Sequence, residues 1–353
     1  DDEDNLDSVL EESHEAGDTH AKRIDSSHVS DLEPNLAPSC RGAVHIPGEV
    51  VLDPFVYSIA LAVHARENGA EIFTEFEFDP EASSFDGEYW NVARKSKSEL
   101  KSSEEKKEAD LEPDVEMRAR VIVNAAGLWS DIVQQKGHGT SKWTAKPRRG
   151  QYRIYSSKHS TSIQHPIQPI PTQRTKGIFV FSSLYDQIVV GPTALDQDSK
   201  TDRSIDTQVA DELDAHARRL IPGLDTDKSY VGEYVGIRPG TDKRDYQIHL
   251  FPTEHWIAVA GIRSTGLTAS LGIGNYVVRN LQSIAEPCCD GDNDSNNKER
   301  AISTTPLPSL TSMVENYHER NDGYVEIHGH AYKVTHPLTK LGWGKRSGLA
   351  SSK

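Results

Sequence analysis

The stretch VIVNAAGLWSD, residues 121–131, decides how the rest of this chain is interpreted. Its first residues, 121–123, are β-branched and predict a buried parallel strand. The strand ends at Asn124, two alanines and Gly127, so the backbone can approach a neighbour closely. Because α/β sheets bind ligands at the carboxyl ends of their strands, this stretch predicts a ligand site. A tight strand-to-helix turn capped by the following Ser-Asp pair is the alternative.

A second stretch, WIAVAGIRSTGLTAS at residues 256–270, repeats this pattern. An apolar strand leads into a glycine turn and then a helix that begins around Ser264, Thr265 and Gly266. The free N–H groups and the positive dipole end of such a helix favour partial negative charge. Glycines inside a helix cost about 1 kcal/mol each, so those at 272 and 274 suggest close packing against something bulky. An ordinary capped helix with small-residue packing remains the alternative.

Composition limits the function classes. The 353 residues allow two domains, and a mean hydropathy of −0.61 suggests a core diluted by solvated segments. A net charge of −15 argues against a nucleic-acid partner. Cys40 and the pair Cys288–Cys289 form neither a CxxC site nor a disulfide framework. Without an apolar run long enough to span a membrane or a signal-peptide pattern, we expect an intracellular protein, cytoplasmic or mitochondrial and not secreted.

Local patterns divide the chain into segments. Asp53, Pro54 and Gly69 predict the start and stop of a helix, and a strand is expected at 71–78. Strand-like runs in the middle of the chain predict an antiparallel sheet. The predicted segments are an acidic N-terminal segment at 1–30, a body at 31–284 that contains a solvated insertion at 79–117, a linker at 285–305 and a C-terminal tail with strand character at 306–353.

Four motifs together resemble the FAD-dependent oxidoreductases of the D-amino-acid oxidase superfamily. They are the two stretches above, LDPFVYSIALAVHARENGAEI at 52–72 and VGIRPGTDKRDYQI at 235–248. The resemblance spans roughly residues 25–285 in the same order. It implies a mixed α/β fold, with a partial Rossmann-like FAD-binding domain interleaved with an antiparallel substrate domain. The flavin parts would be about 31–78, 118–145 and 255–284, and the substrate part about 146–254.

The chain departs from this superfamily at its beginning. The group opens with a βαβ unit whose G-x-G-x-x-G turn holds the FAD pyrophosphate, and no such fingerprint occurs here. We therefore expect the sequence to be truncated at its N-terminus, the alternative being a protein that no longer binds FAD well.

The resemblance also implies site residues. The predicted cofactor contacts are Asn124, Ala125, Ala126, Gly127, Trp129, Gly261, Ser264, Thr265, Gly266, Leu267 and Thr268. Arg238 would clamp an anionic substrate, since a guanidinium fork suits carboxylate or phosphate. Arg263 would lie at the flavin edge, and His45 would accept a proton. Each has a structural alternative, as a strand-pairing or surface arginine or a structural histidine.

A metal site is not expected. The spacing of His328, His330 and His336 matches no ligand pattern, and we interpret these histidines as solvated.

The predicted function is removal of a hydride from a small anionic alcohol by FAD. Glycerol 3-phosphate is the preferred substrate candidate, and a 2-hydroxy acid is the next. An amino-acid or amine oxidase on the same fold is the first alternative. A non-catalytic remnant without a complete flavin site is the second. The electron acceptor stays open between a quinone, another carrier and oxygen.

Overall fold

The structure is a computed structural model, and its helices and strands fix where the predicted site residues lie. It describes residues 2–74, 76–95, 115–158, 161–170, 177–284, 316–320 and 322–342. The predicted linker at 285–305 lies outside these ranges, as do residues 96–114 of the insertion and the two ends of the tail. In chain order the elements are α1 (Asp2–Glu15), β1 (Lys22–Asp25), α2 (Ser26–Leu32), β2 (Gly42–His45), α3 (Pro54–Glu67), β3 (Phe78–Phe85), β4 (Trp90–Arg94), β5 (Val115–Ala119), β6 (Ile122–Asn124), α4 (Ser130–His138), β7 (Arg148–Ser156), β8 (Phe179–Ser182), β9 (Gln187–Gly191), β10 (Leu195–Asp196), α5 (Thr207–Leu220), α6 (Thr226–Ser229), β11 (Tyr230–Arg238), β12 (Gln247–Phe251), β13 (Trp256–Ala260), α7 (Gly266–Ile284), β14 (Tyr317–Glu319), β15 (Tyr324–Ile327), β16 (His330–Lys333) and α8 (Pro337–Gly342).

Helix α3 begins and ends as its sequence predicts. Asp53 caps it, accepting the backbone N–H groups of Phe55 and Val56 at 2.9 and 2.8 Å. Pro54 occupies the first helical position, and Gly69 follows the helix with a left-handed φ of +88°.

The segment after α3 differs from the prediction. The strand expected at 71–78 begins only at Phe78, where β3 starts an antiparallel sheet with β4 and β5. Residues 79–117 are therefore not a solvated insertion in their described part. Trp90 of β4 is 4% exposed and its ring lies 5.2 Å from that of Trp256. Apolar residues are few here, but one tryptophan buries a large area, so composition underestimated the packing.

The sheet β12–β13–β6 joins the two stretches that the sequence singled out. Strand β6 runs parallel to β13, with Ile122 opposite Trp256 and Asn124 opposite Ala258. Helix α7 covers one face through residues such as Val277, and α4 lies on the other face. The two strands are therefore neighbours, but β6 lies at the edge of this sheet and Val123 is 39% exposed, so the expectation of a buried strand at 121–123 is wrong.

The middle of the chain forms the expected antiparallel sheet. Strand β7 pairs with β11 on one edge and with β9 and β10 on the other, and β8 extends the sheet from β9. Helix α5 covers one face, where Leu213 and Ala217 pack against Ile188 and Val190. On the opposite face, Leu338 and Leu341 of the C-terminal helix α8 pack against Ile154 and Val189.

The described part of residues 306–353 packs on the body instead of trailing from it. Strand β15 is buried against Val63 of α3, and α8 packs on β11. Thr339 of α8 donates to the Asp53 carboxylate at 2.8 Å, and the Tyr185 hydroxyl donates to the same carboxylate at 2.5 Å. Asp53 therefore ties together the cap of α3, the antiparallel sheet and the C-terminal helix.

Candidate active site

The turn after β6 is held by the side chain that ends the strand. Asn124 is buried, and its amide donates to the carbonyl of Ser130 at 2.9 Å and accepts the N–H of Ala126 at 3.3 Å. Gly127 follows with a left-handed φ of +55°. Because the Asn124 amide is used inside the turn, other residues of the turn form its surface. Those exposed are Ala125, Ala126 and Trp129.

The turn after β13 is equally specialised. Gly261 has a φ of +70°, and Thr265 a φ of +57° just before α7 begins at Gly266. The Thr265 hydroxyl is hydrogen-bonded to that of Tyr246, which fixes the approach to the helix. The exposed residues here are Ser264, Thr265, Leu267 and Thr268.

These two turns follow the two strands of the β6–β13 pair. We call the predicted contacts on them the cofactor surface; they comprise residues 124–127, Trp129, Gly261 and residues 264–268, of which Asn124 and Gly261 are buried. Its small side chains and the start of α7 fit the flavin end of FAD, since the first N–H groups of a helix lack intrahelical partners. Within the described ranges, no glycine-rich turn is present to hold the pyrophosphate.

Arg263 leaves the cofactor surface in the direction of the antiparallel sheet. Its guanidinium donates to the carbonyl of Arg244 at 2.9 Å. It lines a cleft of about 410 Å³ together with Lys146 and Arg148, while Asp196 accepts from Arg148 Nε at 2.5 Å. The lining also includes Asp198, so the cleft holds three cations and two carboxylates, with Arg148 and Asp196 paired to each other.

Arg238, at the end of β11, is a partly buried cation whose charge is disfavoured by Arg148 and favoured by Tyr152 and Asp196. It pairs across the strands with Arg148, and burial lowers the pKa of its guanidinium. Among the described residues its hydrogen bond is to the Thr193 carbonyl, at 2.5 Å. The guanidinium lies over Gly150, where any side chain would collide with it. Beside it, none of the described residues lies within 4 Å of the position that a Cβ on Gly236 would take.

Two tyrosines close the other side of that space. Tyr152 and Tyr234 are cross-strand partners, stacked with ring centroids 4.6 Å apart and planes 11° from parallel. His336 packs edge-on against Tyr234 at 5.5 Å. We call the space over Gly236, between Arg238 and the two tyrosines, the sheet recess.

Sequence reasoning missed the tyrosines and treated His336 as solvated, which is wrong. Burial lowers the pKa of His336 and so favours its neutral form. A signal was available in β11, where Tyr234, Gly236 and Arg238 alternate with a period of two and must share one face. The contribution of Tyr152 required the register between β7 and β11.

His45 lies in a different environment from the two arginines. It ends β2, pairs with Lys22, and its ring is edge-on to His165 at 5.5 Å. His165 in turn bonds to the buried Glu33 carboxylate at 2.8 Å. In the ranges that the structure covers, no hydrogen bond, ion pair or ring contact joins His45 to Arg238 or to the cofactor surface.

Comparison with known proteins places these features in a family. Residues 1–280 match the DAO family, described as FAD dependent oxidoreductase, and the chain belongs to that family. FAD is the cofactor that this membership gives. A glycerol 3-phosphate dehydrogenase of Caloramator mitchellensis is 26% identical over 265 residues, which is 74% of this chain and 50% of that protein. A glycerol 3-phosphate oxidase of Mycoplasma pneumoniae is 26% identical over 256 residues, covering 71% of this chain and 61% of that protein.

Solved structures confirm the fold. An L-α-glycerophosphate oxidase from Mycoplasma pneumoniae with FAD bound has a TM-score of 0.64 and 24% identity, over 74% of this chain and 64% of that one. A glycine oxidase from Bacillus cereus has a TM-score of 0.63 and 16% identity, over 80% of this chain and 71% of that one.

The chain spans between half and about three fifths of the length of these two curated relatives. In the described ranges, none of the helices is long and apolar enough to cross a membrane.

Proposed function

We propose that this chain carries the substrate site and the flavin-ring contacts of an FAD-dependent oxidoreductase that acts on a small anionic alcohol. Glycerol 3-phosphate is the first candidate. The observation that supports this most is Arg238, a partly buried guanidinium beside Gly236, over which the described residues leave open space. A buried cation is unfavourable unless it is paired, so this arrangement suits an anion that arrives with the substrate.

Different residues would have different roles in such a reaction. FAD, when bound, supplies the hydride acceptor. The backbone of the cofactor surface and the start of α7 would hold the flavin ring. Arg238 would fix the anionic group of the substrate, and Arg263 would place positive charge at the flavin edge. His45 remains a proposed proton acceptor.

A carboxylate substrate is the second candidate, because the same guanidinium fork binds carboxylates. The structural likeness to a glycine oxidase at 16% identity concerns the fold alone. A 2-hydroxy acid or an amino acid therefore belongs in the same assay. Whether electrons pass to a quinone, another carrier or oxygen is a separate question, as relatives are named both dehydrogenase and oxidase.

The test is anaerobic reduction of the FAD-loaded full-length protein, followed by flavin absorbance. Glycerol 3-phosphate, 2-hydroxyglutarate and glycine are compared as substrates. Reduction by glycerol 3-phosphate, with slower or absent reduction by the others, supports the proposal. Flavin that none of them reduces favours the non-catalytic alternative.

Arg238→Lys tests the anion clamp, because it keeps the charge and loses the bidentate fork. Charge-assisted hydrogen bonds contribute about 1.5–3 kcal/mol each, so kcat/KM should fall roughly ten- to a hundredfold at unchanged flavin content. Arg149→Lys is the matched control. Arg149 lies on β7 next to Arg148, the cross-strand partner of Arg238, but its guanidinium donates to the carbonyl of Ser204. If Arg238→Lys behaves like this control on every anionic substrate, the clamp lies elsewhere.

A further inference from the structure

The two tyrosines of the sheet recess are held as neutral hydroxyls. Burial raises the pKa of Tyr152 and of Tyr234, so both stay protonated at neutral pH. Over the described part of the chain, neither hydroxyl is hydrogen-bonded. Burial raises the pKa of Tyr152, whereas the charge of Arg238 lowers it, so the phenol and the guanidinium are close enough to interact electrostatically.

Two glycines, Gly191 of β9 and Gly150 of β7, leave room for the Tyr152 ring and the Arg238 guanidinium. A side chain at Gly191 would come within 2.8 Å of the Tyr152 ring, and one at Gly150 within 2.6 Å of the Arg238 guanidinium. These two glycines therefore admit the ring and the guanidinium, whereas the space over Gly236 is left open. As far as the described residues show, this face leaves open space over Gly236, with a cation on one side of it and phenols on the other.

The length of the recess limits its occupant. Arg238 and Tyr234 lie four residues apart on β11, with Gly236 between them. Four residues of an antiparallel strand span about 13 Å, and the two side chains occupy part of that length. The remaining space suits a molecule with a backbone of three or four carbons, whose anionic group meets Arg238 and whose far end meets the phenols.

We infer that Tyr152 determines substrate specificity by hydrogen-bonding a free hydroxyl of the substrate whose anionic group Arg238 holds. Tyr234 acts through Tyr152, as a positioning residue whose stacked ring fixes the orientation of the phenol. The ligand class is a short anion that carries a second hydroxyl besides the one that is oxidised. This inference rests on the proposed function, because it assumes that the recess is the substrate site.

The test compares two ligands on the FAD-loaded full-length protein: glycerol 3-phosphate and 2-hydroxypropyl phosphate, which lacks the terminal hydroxyl. Dissociation constants are measured by calorimetry with oxidised flavin, and flavin reduction is measured separately. The wild type should bind glycerol 3-phosphate about five- to tenfold more tightly, as expected for one neutral hydrogen bond. In Tyr152→Phe this preference should disappear while 2-hydroxypropyl phosphate binds as before.

Two further variants keep the result interpretable. Tyr324→Phe removes a hydroxyl from β15, outside the recess, and should keep the preference. Gly236→Ala places a methyl group in the recess and should weaken both ligands equally, whatever the state of the phenols. A Tyr152→Phe protein that still prefers glycerol 3-phosphate overturns the inference. If no ligand reduces the flavin but the preference and its loss are observed, the inference stands and the proposed reaction fails.

Discussion

The cofactor surface and the sheet recess are built in opposite ways. The cofactor surface is mostly exposed, consists mainly of small residues besides Trp129 and Leu267, and each half comes from one short continuous stretch of chain. The sheet recess is lined by partly buried residues and combines Tyr152 of β7 with residues of β11 more than 75 positions later. A site made of strand ends and a helix start can be found from local sequence, whereas a site on a sheet face exists only once the strands are in register.

The largest expected effect concerns the support of the cofactor surface. Trp256 is fully buried, its Nε1 donates to Gln134 Oε1 at 2.8 Å, and its ring packs on Trp90. Trp256→Ala should lower the free energy of unfolding by about 3–5 kcal/mol in chemical denaturation. Trp129→Ala is the control, because Trp129 is 48% exposed and surface changes stay within about 0.5 kcal/mol. Equal losses in both variants would contradict the buried packing of Trp256.

An intermediate effect should distinguish the two arginines. Arg263→Ala removes a positive charge from the predicted flavin edge and should lower the reduction potential of bound FAD. If this charge is worth about 1.5–3 kcal/mol, the shift is about 30–60 mV for a two-electron couple. Arg238→Lys should leave the potential unchanged, because Arg238 contacts substrate in this proposal. A potential that moves only in Arg238→Lys would reverse the two roles.

The smallest expected effect is the pH dependence of stability caused by His336, which packs against Tyr234 beside the recess. Burial lowers the pKa of His336 below its ordinary value of 6.5, so the unfolded chain binds the proton more readily than the folded one. This contribution to stability is present above pH 6.5 and is lost as the pH falls. His336→Gln should therefore flatten the decline of the melting temperature below that pH. A decline as steep as in the wild type would show that other groups cause it.

Local sequence was informative wherever the residues of one short segment alone decide its conformation. Asp53, Pro54 and Gly69 bound α3 because caps, the first helical turn and left-handed stops are decided within a few residues. It failed at residues 79–94, where large aromatic residues compensate for low apolar content. It also failed at His336, whose burial depends on a strand far away in the chain.

The sequence by itself determined that β6 and β13 are strands, that each ends in a glycine-bearing turn, and the family. These follow from apolar runs, glycines and a helix start that act over short distances. Only the tertiary structure decided that Arg238, Gly236 and the two tyrosines form one recess, and that α8 packs beside it. The physical reason is that side-chain direction on a sheet depends on register, and a one-residue slip would turn each of these groups to the opposite face.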